Sequence, residues 1–337
     1  MREPRRTSGS SRRQQVGRNT TSQRRIRRDT TGQTIVRLFV ALGSMLPSAG
    51  LVAQPREIKS YGPGAPEAKL MLYYSSTVAF SPLGVPFGAD RPSAMAVASD
   101  HAPGSASSRF EAALELSYLP PLSSEQRTTG SDKPESTNLA PMFVRPRVGA
   151  RLPGGIGLEL SWIPPLQVFD VKANLLAGAI SRSFTTSLGV RVVPRASFLT
   201  GRVEGPITCN RETAAEGTAA LATYFTFVCY DNDSRDFFEP NHVSGELLFA
   251  RASGSGRWQP YASAGARAER TRFDIGVIRT DGTRDPDQPI LEVTTTRAYG
   301  TAGTSWLGFP RTRLAAELYY APGSMLTVRA LAGVHLW

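Results

Sequence analysis

The stretch VRPRVGARLPGGIGLELSW, residues 144–162, reads as two strands joined by a turn. Val144, Val148, Ala150 and Leu152 fall on one face of its first half, and Arg145, Arg147 and Arg151 on the other. Pro153, Gly154 and Gly155 supply the turn. Ile156, Leu158, Leu160 and Trp162 then alternate with Gly157, Glu159 and Ser161. A period of two, broken by a Pro-Gly-Gly punctuation, is the pattern of a hairpin of amphipathic strands.

The same alternation recurs on both sides of this hairpin. Phe110, Ala112, Leu114, Leu116 and Tyr118 oppose Glu111, Glu115 and Ser117. Val171, Ala173, Leu175, Ala177 and Ala179 oppose Asp170, Lys172, Asn174 and Arg182. Leu188, Val190, Val192 and Ala196 oppose Arg191 and Arg195, and Leu247 and Phe249 oppose Ser244 and Glu246. Ala262, Ala264, Ala266 and Ala268 oppose Ser263, Arg267 and Glu269; Leu314, Ala316, Leu318 and Tyr320 oppose Arg313 and Glu317. Residues 291–303 alternate less cleanly. In the final strand Leu326, Val328, Ala330, Ala332, Val334 and Leu336 share one face, with Thr327, Arg329 and His335 on the other.

Such strands build either a soluble sandwich or a membrane barrel. Three features favour the barrel. Strands of about 10 residues suit a tilted crossing. Faces made only of Ala, Val and Leu suit lipid better than a close-packed core. Aromatic residues fall near strand ends, at Tyr118, Trp162, Trp258, Tyr299, Trp306, Tyr319, Tyr320 and Trp337, as interfacial girdles would place them.

Charge is unevenly distributed along the 337 residues. The 39 Lys and Arg exceed the 28 Asp and Glu by eleven, but the first 37 residues hold eleven arginines against Glu3 and Asp29, which accounts for +9. The rest is nearly neutral and has no basic excess from which to build a nucleic-acid surface. No uncharged apolar run after residue 54 is long enough for a spanning helix. Residues 1–34 are too polar to fold and are expected to be disordered. Residues 38–53 are uncharged, mostly apolar and end in small residues, which reads as a signal peptide cleaved after Gly50 or Ala53. The basic extension is long for such a leader; a start near Val36, twin-arginine export and an organelle transit peptide are the alternatives.

With its leader, alternating strands and a last strand ending on Trp337, the chain resembles bacterial outer-membrane β-barrel proteins. The resemblance covers about residues 69–337 and implies an antiparallel transmembrane barrel. It also implies the outer-membrane bilayer and the barrel-assembly machinery as partners, the latter reading the C-terminal strand. The domain plan is therefore a leader at 1–53, a linker at 54–68 and a barrel at 69–337.

Short periplasmic turns and long outer loops set the topology. Counting back from Trp337 puts turns 304–310, 253–257, 183–185 and 153–155 on the periplasmic side, and loops 274–290, 203–240 and 120–141 outside. Ten strands follow from Arg109 onward. Residues 55–108 must then begin and end in the periplasm. They either add a hairpin, with 69–80 and 93–99 as strands, to make the favoured twelve, or plug a ten-stranded barrel.

The most suggestive side chains are those on the polar phase. Arg145, Arg147, Arg151, Arg182, Arg191, Arg195, Arg267, Arg313 and Arg329 would line the lumen beside Glu111, Glu115, Glu159, Asp170, Glu246, Glu269 and Glu317. They could attract a small anionic or amphipathic solute, as in a porin-like channel or facilitated transporter. They could equally pair across strands and fill a closed structural or surface-interaction barrel. Cys209 and Cys229 enclose nineteen residues of one outer loop, and in an oxidising compartment are expected to form a disulfide. His101, His242 and His335 form no serine-histidine cluster in sequence, which leaves an outer-membrane hydrolase the weakest reading. The acidic groups Asp231, Asp233, Asp236, Glu239 and Asp281, Asp285, Asp287 read as solvated loops. No cofactor or metal is expected.

Overall fold

The computed structural model describes residues 56–85, 110–121, 142–152, 155–168, 170–209, 218–221, 225–228, 230, 232–251, 257–309 and 311–336. The leader, the segment 93–99 and Trp337 lie outside these residues, as do Cys229 and much of loop 120–141.

The elements run β1 (Ile58–Tyr61), α1 (Pro66–Thr77), β2 (Phe110–Tyr118), β3 (Met142–Leu152), β4 (Ile156–Ile163), β5 (Gln167–Val168), β6 (Val171–Arg182) and β7 (Phe184–Thr185). They continue with β8 (Val190–Gly205), β9 (Thr218–Leu221), β10 (Phe225–Val228), β11 (Asp236–Arg251), β12 (Trp258–Asp274), β13 (Ile290–Phe309), β14 (Thr312–Ala321) and β15 (Met325–His335). Ten of the strands, β2, β3, β4, β6, β8 and β11–β15, form an antiparallel meander. It closes on itself where Arg329 of β15 meets Ser117 of β2 and His335 meets Glu111. Closure leaves no open edge within a bilayer, which a membrane sheet requires. The short β5 and β7 edge β6 and β8, and β9 with β10 forms a separate hairpin.

Of the two strand counts, ten is realised. Residues 69–80 do not form a strand: 66–77 are helical, with Pro66 at the first turn where its missing N–H costs nothing. The residues read as a linker include β1, which pairs in parallel with Ile290–Val293 of β13. The stretch read as a turn at 304–310 is strand through Phe309, with a register shift after Trp306.

The outward faces define a membrane belt. Leu114, Leu160, Val243, Leu247, Leu318, Val328 and Val334 are exposed. One rim carries the exposed aromatics Phe110, Phe184, Phe249, Trp258 and Phe309, and the other Tyr118, Trp162 and Tyr320. On β12 the outward residues run from Trp258 through Ala262, Ala264, Ala266 and Ala268, then change to Arg270 and Arg272. Ten residue steps at about 3.3 Å give about 33 Å along the strand. A tilt of about 45° makes this about 23 Å across the bilayer, close to the expected height of a lipid-facing band. Strand β11 changes at the same level, from Val243 to Asn241, and β13 one outward position lower, from Ala298 to Thr296.

Strands β8, β11, β12 and β13 have 16, 16, 17 and 20 residues, against 8 to 12 in the other six. One wall of the barrel therefore rises above the belt on the long-loop rim. Its inner face turns apolar there. Phe238, Phe273, Leu291 and Val293, with Ile275 and Val277 from the following loop, enclose Ala68, Met71 and Leu72 of α1 and Cys209.

Candidate functional site

The lumen is the site that the barrel builds. Of the polar phase of the strands, Glu111, Glu115, Arg145, Arg147, Arg195, Arg267, Glu269, Arg313, Glu317 and Arg329 are all buried, and Glu159, Arg151 and Arg191 half-buried. Two members of the sequence set do not belong. Arg182 is exposed and lies over the Phe184 ring, and Asp170 is an exposed turn residue with φ of 61°. Strand β6 is turned the other way from the sequence reading. Leu175 and Ala177 face inward while Lys172, Asn174, Leu176 and Ile180 face out. Two of the expected girdle aromatics also point inward: Tyr299 and Tyr319 are buried and stack with centroids 5.6 Å apart.

The charges are paired across strands. Glu115 lies 2.9 Å from Arg147, 3.6 Å from Arg145 and 3.8 Å from Arg329. Arg147 also bonds Glu159, and Arg329 bonds Glu317. Glu317 accepts from the Tyr261 hydroxyl at 3.1 Å. Near the short-turn rim Arg313 donates to Glu111 at 2.6 Å, and His335 lies 3.3 Å from the same carboxylate. Arg195 meets Glu246 at 3.0 Å. Near the long-loop rim Glu269 holds Arg267 at 3.3 Å and Arg297. Arg297 was missed by the sequence reading, although it keeps phase with Leu291, Val293 and Tyr299.

The remaining donors grip the chain's own N-terminal region. Residues 78–85, in neither helix nor strand, run through the lumen as a strap below α1. Arg145 donates to the Val78 carbonyl at 2.6 Å and to that of Ala79 at 3.2 Å. Ser197 and His242 lie 3.4 Å from the Phe80 carbonyl, and Arg329 is 3.3 Å from that of Ser81. Arg195 donates to the Pro82 carbonyl. Arg313 donates to that of Val85 at 2.7 Å. Gly84, with φ of 82°, makes the bend before that contact, where a Cβ would sit 3.0 Å from the Arg313 guanidinium. The strap's apolar side chains explain the inward apolar residues of the wall. Phe80 packs on Leu175, Ala177 and Leu199; Leu83 on Ala315 and Leu331; Val85 on Val193, Leu248 and Tyr261. Above the strap, Ser75 donates to Glu269 at 2.8 Å, and Arg267 and Arg297 reach the Ser76 hydroxyl at 3.2 and 2.9 Å.

A cavity of about 10 Å³, lined by Glu111, Arg147, Glu159, Arg313 and Leu331 among others, has room for about one water.

Two clusters organise the cap. Asp236 is fully buried and accepts from the Thr208 N–H at 2.6 Å, the Gly276 N–H at 2.7 Å and the Ser234 hydroxyl at 2.6 Å. Arg56, just before β1, donates to Asp274 and to the carbonyls of Ile275 and Gln288. In loop 275–289 burial pushes the Asp285 carboxyl up. The Gln288 amide, the Asp287 N–H and the Arg279 guanidinium outweigh it and hold the carboxyl below its ordinary range. The Thr283 hydroxyl and N–H do the same for Asp281. Asp236, Asp281 and Asp285 thus serve as loop ties, and the burial of Asp236 and Asp285 corrects the expectation of solvated loop carboxylates there; no group of three or more potential metal ligands occurs among the described residues. His242 Nε2 faces the Phe80 carbonyl, and no serine hydroxyl bonds its ring among the described residues. Cys209 is buried, and no described cysteine is free.

The closed strand order, the apolar outside and the charged inside make this a membrane β-barrel. No protein-family profile matches the chain, and no curated protein matches it in sequence. Solved structures to which it is similar are barrels with low overall superposition. The attachment invasion locus protein Ail of Yersinia pestis is 10% identical, covering 67% of this chain and 98% of that one, with a TM-score of 0.23. The outer membrane protein Omp33 of Acinetobacter baumannii is 11% identical over 68% and 98%, with a TM-score of 0.26. The toluene transporter TodX of Pseudomonas putida is 10% identical over 85% and 78%, with a TM-score of 0.27.

Proposed function

We propose that the chain is a bacterial outer-membrane barrel, held shut by its own residues 66–85, that works at its long-loop face. The observation that carries this reading is the grip on the strap. Arg145, Arg195, Arg313 and Arg329, which would have been the solute-attracting set of a porin, are spent on its carbonyls and on buried carboxylates. Long loops face outward by the usual rule for such barrels. The raised wall and its cap then form a rigid platform outside the cell for a partner. The leader is a cleaved signal peptide, the assembly machinery inserts the barrel, and Cys209 pairs with Cys229 in the oxidising exterior, which in the chain-entropy model contributes about 3 kcal/mol. Planar-bilayer recording of the full chain tests closure: no stable conductance is expected, and a steady anion-selective current would refute it.

A second reading, gated passage of a small anionic or amphipathic solute, is favoured by one observation. The strap is held by hydrogen bonds and packing, so its withdrawal would free a ladder of arginines. Uptake by whole cells that is lost when the strap is cross-linked to the wall would support gating over permanent closure.

A further inference from the structure

We propose that the lumen is a binding tube for extended polypeptide main chain, through which the barrel holds its own N-terminal segment across the membrane. The Ile58 end of that segment then lies on the same face as loop 275–289. This rests on the closed-lumen reading above and goes beyond it.

The first argument is what the wall recognises. Its donors address backbone oxygens in succession, at Val78, Ala79, Phe80, Ser81, Pro82 and Val85. Carbonyls occur in every peptide, so guanidinium groups aimed at them read main chain rather than sequence. A site for a small anion would instead converge its donors on one point. The charged donors lie at several depths, Arg145 near the long-loop end of β3 and Arg313 at the short-turn end of β14, which fits a rod and not a sphere.

The second argument is direction. A stopper can enter and leave by one mouth; this segment does not. Val85 packs on Tyr261, near the short-turn end of β12. The other end, β1, pairs with Ile290 of β13, which is level with Asp274 of β12. Tyr261 and Asp274 are thirteen residues apart. At about 3.3 Å per residue and a tilt of about 45°, the rise is about 30 Å, of which about 16 Å, from the level of Tyr261 to that of Ala268, lies within the lipid-facing band and the rest along the raised wall. Arg56 anchors the upper end to Asp274 and the Gln288 carbonyl. The expectation that residues 55–108 begin and end on one side is thereby replaced: Ile58 and Phe110 lie at opposite rims.

The test uses single cysteines in the full chain on intact cells, with a membrane-impermeant maleimide. Ile58→Cys reports β1, Asp281→Cys the loop beside it, and Thr186→Cys the short-turn rim; all three positions are exposed and none touches the lumen. Ile58→Cys and Asp281→Cys are expected to label on intact cells, and Thr186→Cys only after permeabilisation. Labelling of Ile58→Cys together with Thr186→Cys overturns the proposal. Labelling of Ile58 and Asp281 together, but only in permeabilised cells, supports the threading and refutes the outward orientation instead. Main-chain binding is read separately with Leu83→Cys in folded, detergent-solubilised protein. Adding Arg195→Gln and Arg329→Gln should speed its modification about tenfold by loosening the strap. An unchanged rate, with the barrel still resistant to unfolding on a gel, removes the binding-tube assignment.

Discussion

Within the belt, strands β11, β12 and β13 carry charge inward and alanine, valine and leucine outward; a few residues higher the same strands do the reverse. On β12 the inward series Ser263, Arg267 and Glu269 gives way to Thr271 and Phe273, while outward Ala264, Ala266 and Ala268 give way to Arg270 and Arg272. On β13 inward Arg297 becomes Val293 and Leu291, and Glu292 outside pairs with Arg272 at 2.6 Å and Arg270 at 2.9 Å. The backbone is continuous and only the solvent changes. Where lipid lies outside, apolar side chains cost nothing there and polar groups must find partners within. Where water lies outside, hydrocarbon is buried and charge exposed. The two regions therefore have different weak points: an unpaired charge in the lumen, a cavity in the cap.

The largest effect should come from breaking the lumen. Glu115→Ala leaves Arg145, Arg147 and Arg329 without their shared carboxylate. It should cost about 3–5 kcal/mol, the usual penalty for stranding a buried charge. The urea midpoint of the folded barrel in micelles measures it, and a change below about 0.5 kcal/mol would mean that water reaches the site. Phe273→Ala in the cap should cost about 3 kcal/mol locally by opening a cavity. Proteolysis should then begin in loop 275–289 while the heat-shifted gel mobility of the barrel stays unchanged; simultaneous loss of both would erase the distinction between the regions. Asp236→Asn keeps the shape but replaces one of the two acceptor oxygens, Oδ1 facing the Gly276 N–H and Oδ2 facing the Thr208 N–H, with an NH2 donor. A loss of about 1.5–3 kcal/mol is expected, seen as faster amide exchange at those two residues. The smallest effect concerns pH. The folded Asp285 carboxyl titrates below its unfolded value, so its contribution is complete above that value and lost as pH falls through the folded one. Amide exchange at Asp287 should accelerate in that acid window, and Asp285→Asn should abolish the dependence.

The comparison also shows what a sequence alone can express. Period-two alternation survives wherever one side is lipid, which is why residues 144–162 and the lumen set from Glu111 to Arg329 were legible. It failed where a strand meets something other than lipid and charge. Strand β6 was read inside-out because its inner face, Leu175 and Ala177, packs on Phe80 of a strap whose position local sequence does not encode. Helix α1 was mistaken for a strand because Leu70, Met71, Leu72 and Tyr73 are buried in succession, surrounded by wall and cap, so no 3.6-residue stripe develops. Tyr299 and Tyr319 look like girdle residues by position along the strand. Only their phase, shared with Arg297 and Glu317, shows that they point inward.

The strap also constrains the order of assembly. It is made early, yet Arg313 and Arg329, which grip it, lie in the last two strands, 228 residues beyond Val85 and 248 beyond Ser81. Contacts so distant in sequence form slowly, because a long loop must close before any of them is gained. The sheet closes by joining β15 to β2, and a rod cannot be inserted sideways into a tube already closed. Sideways, the N-terminal segment can take its place only against the open sheet before the final pairing, serving then as a mandrel around which the last strands wrap; after closure the one route left is end-on threading.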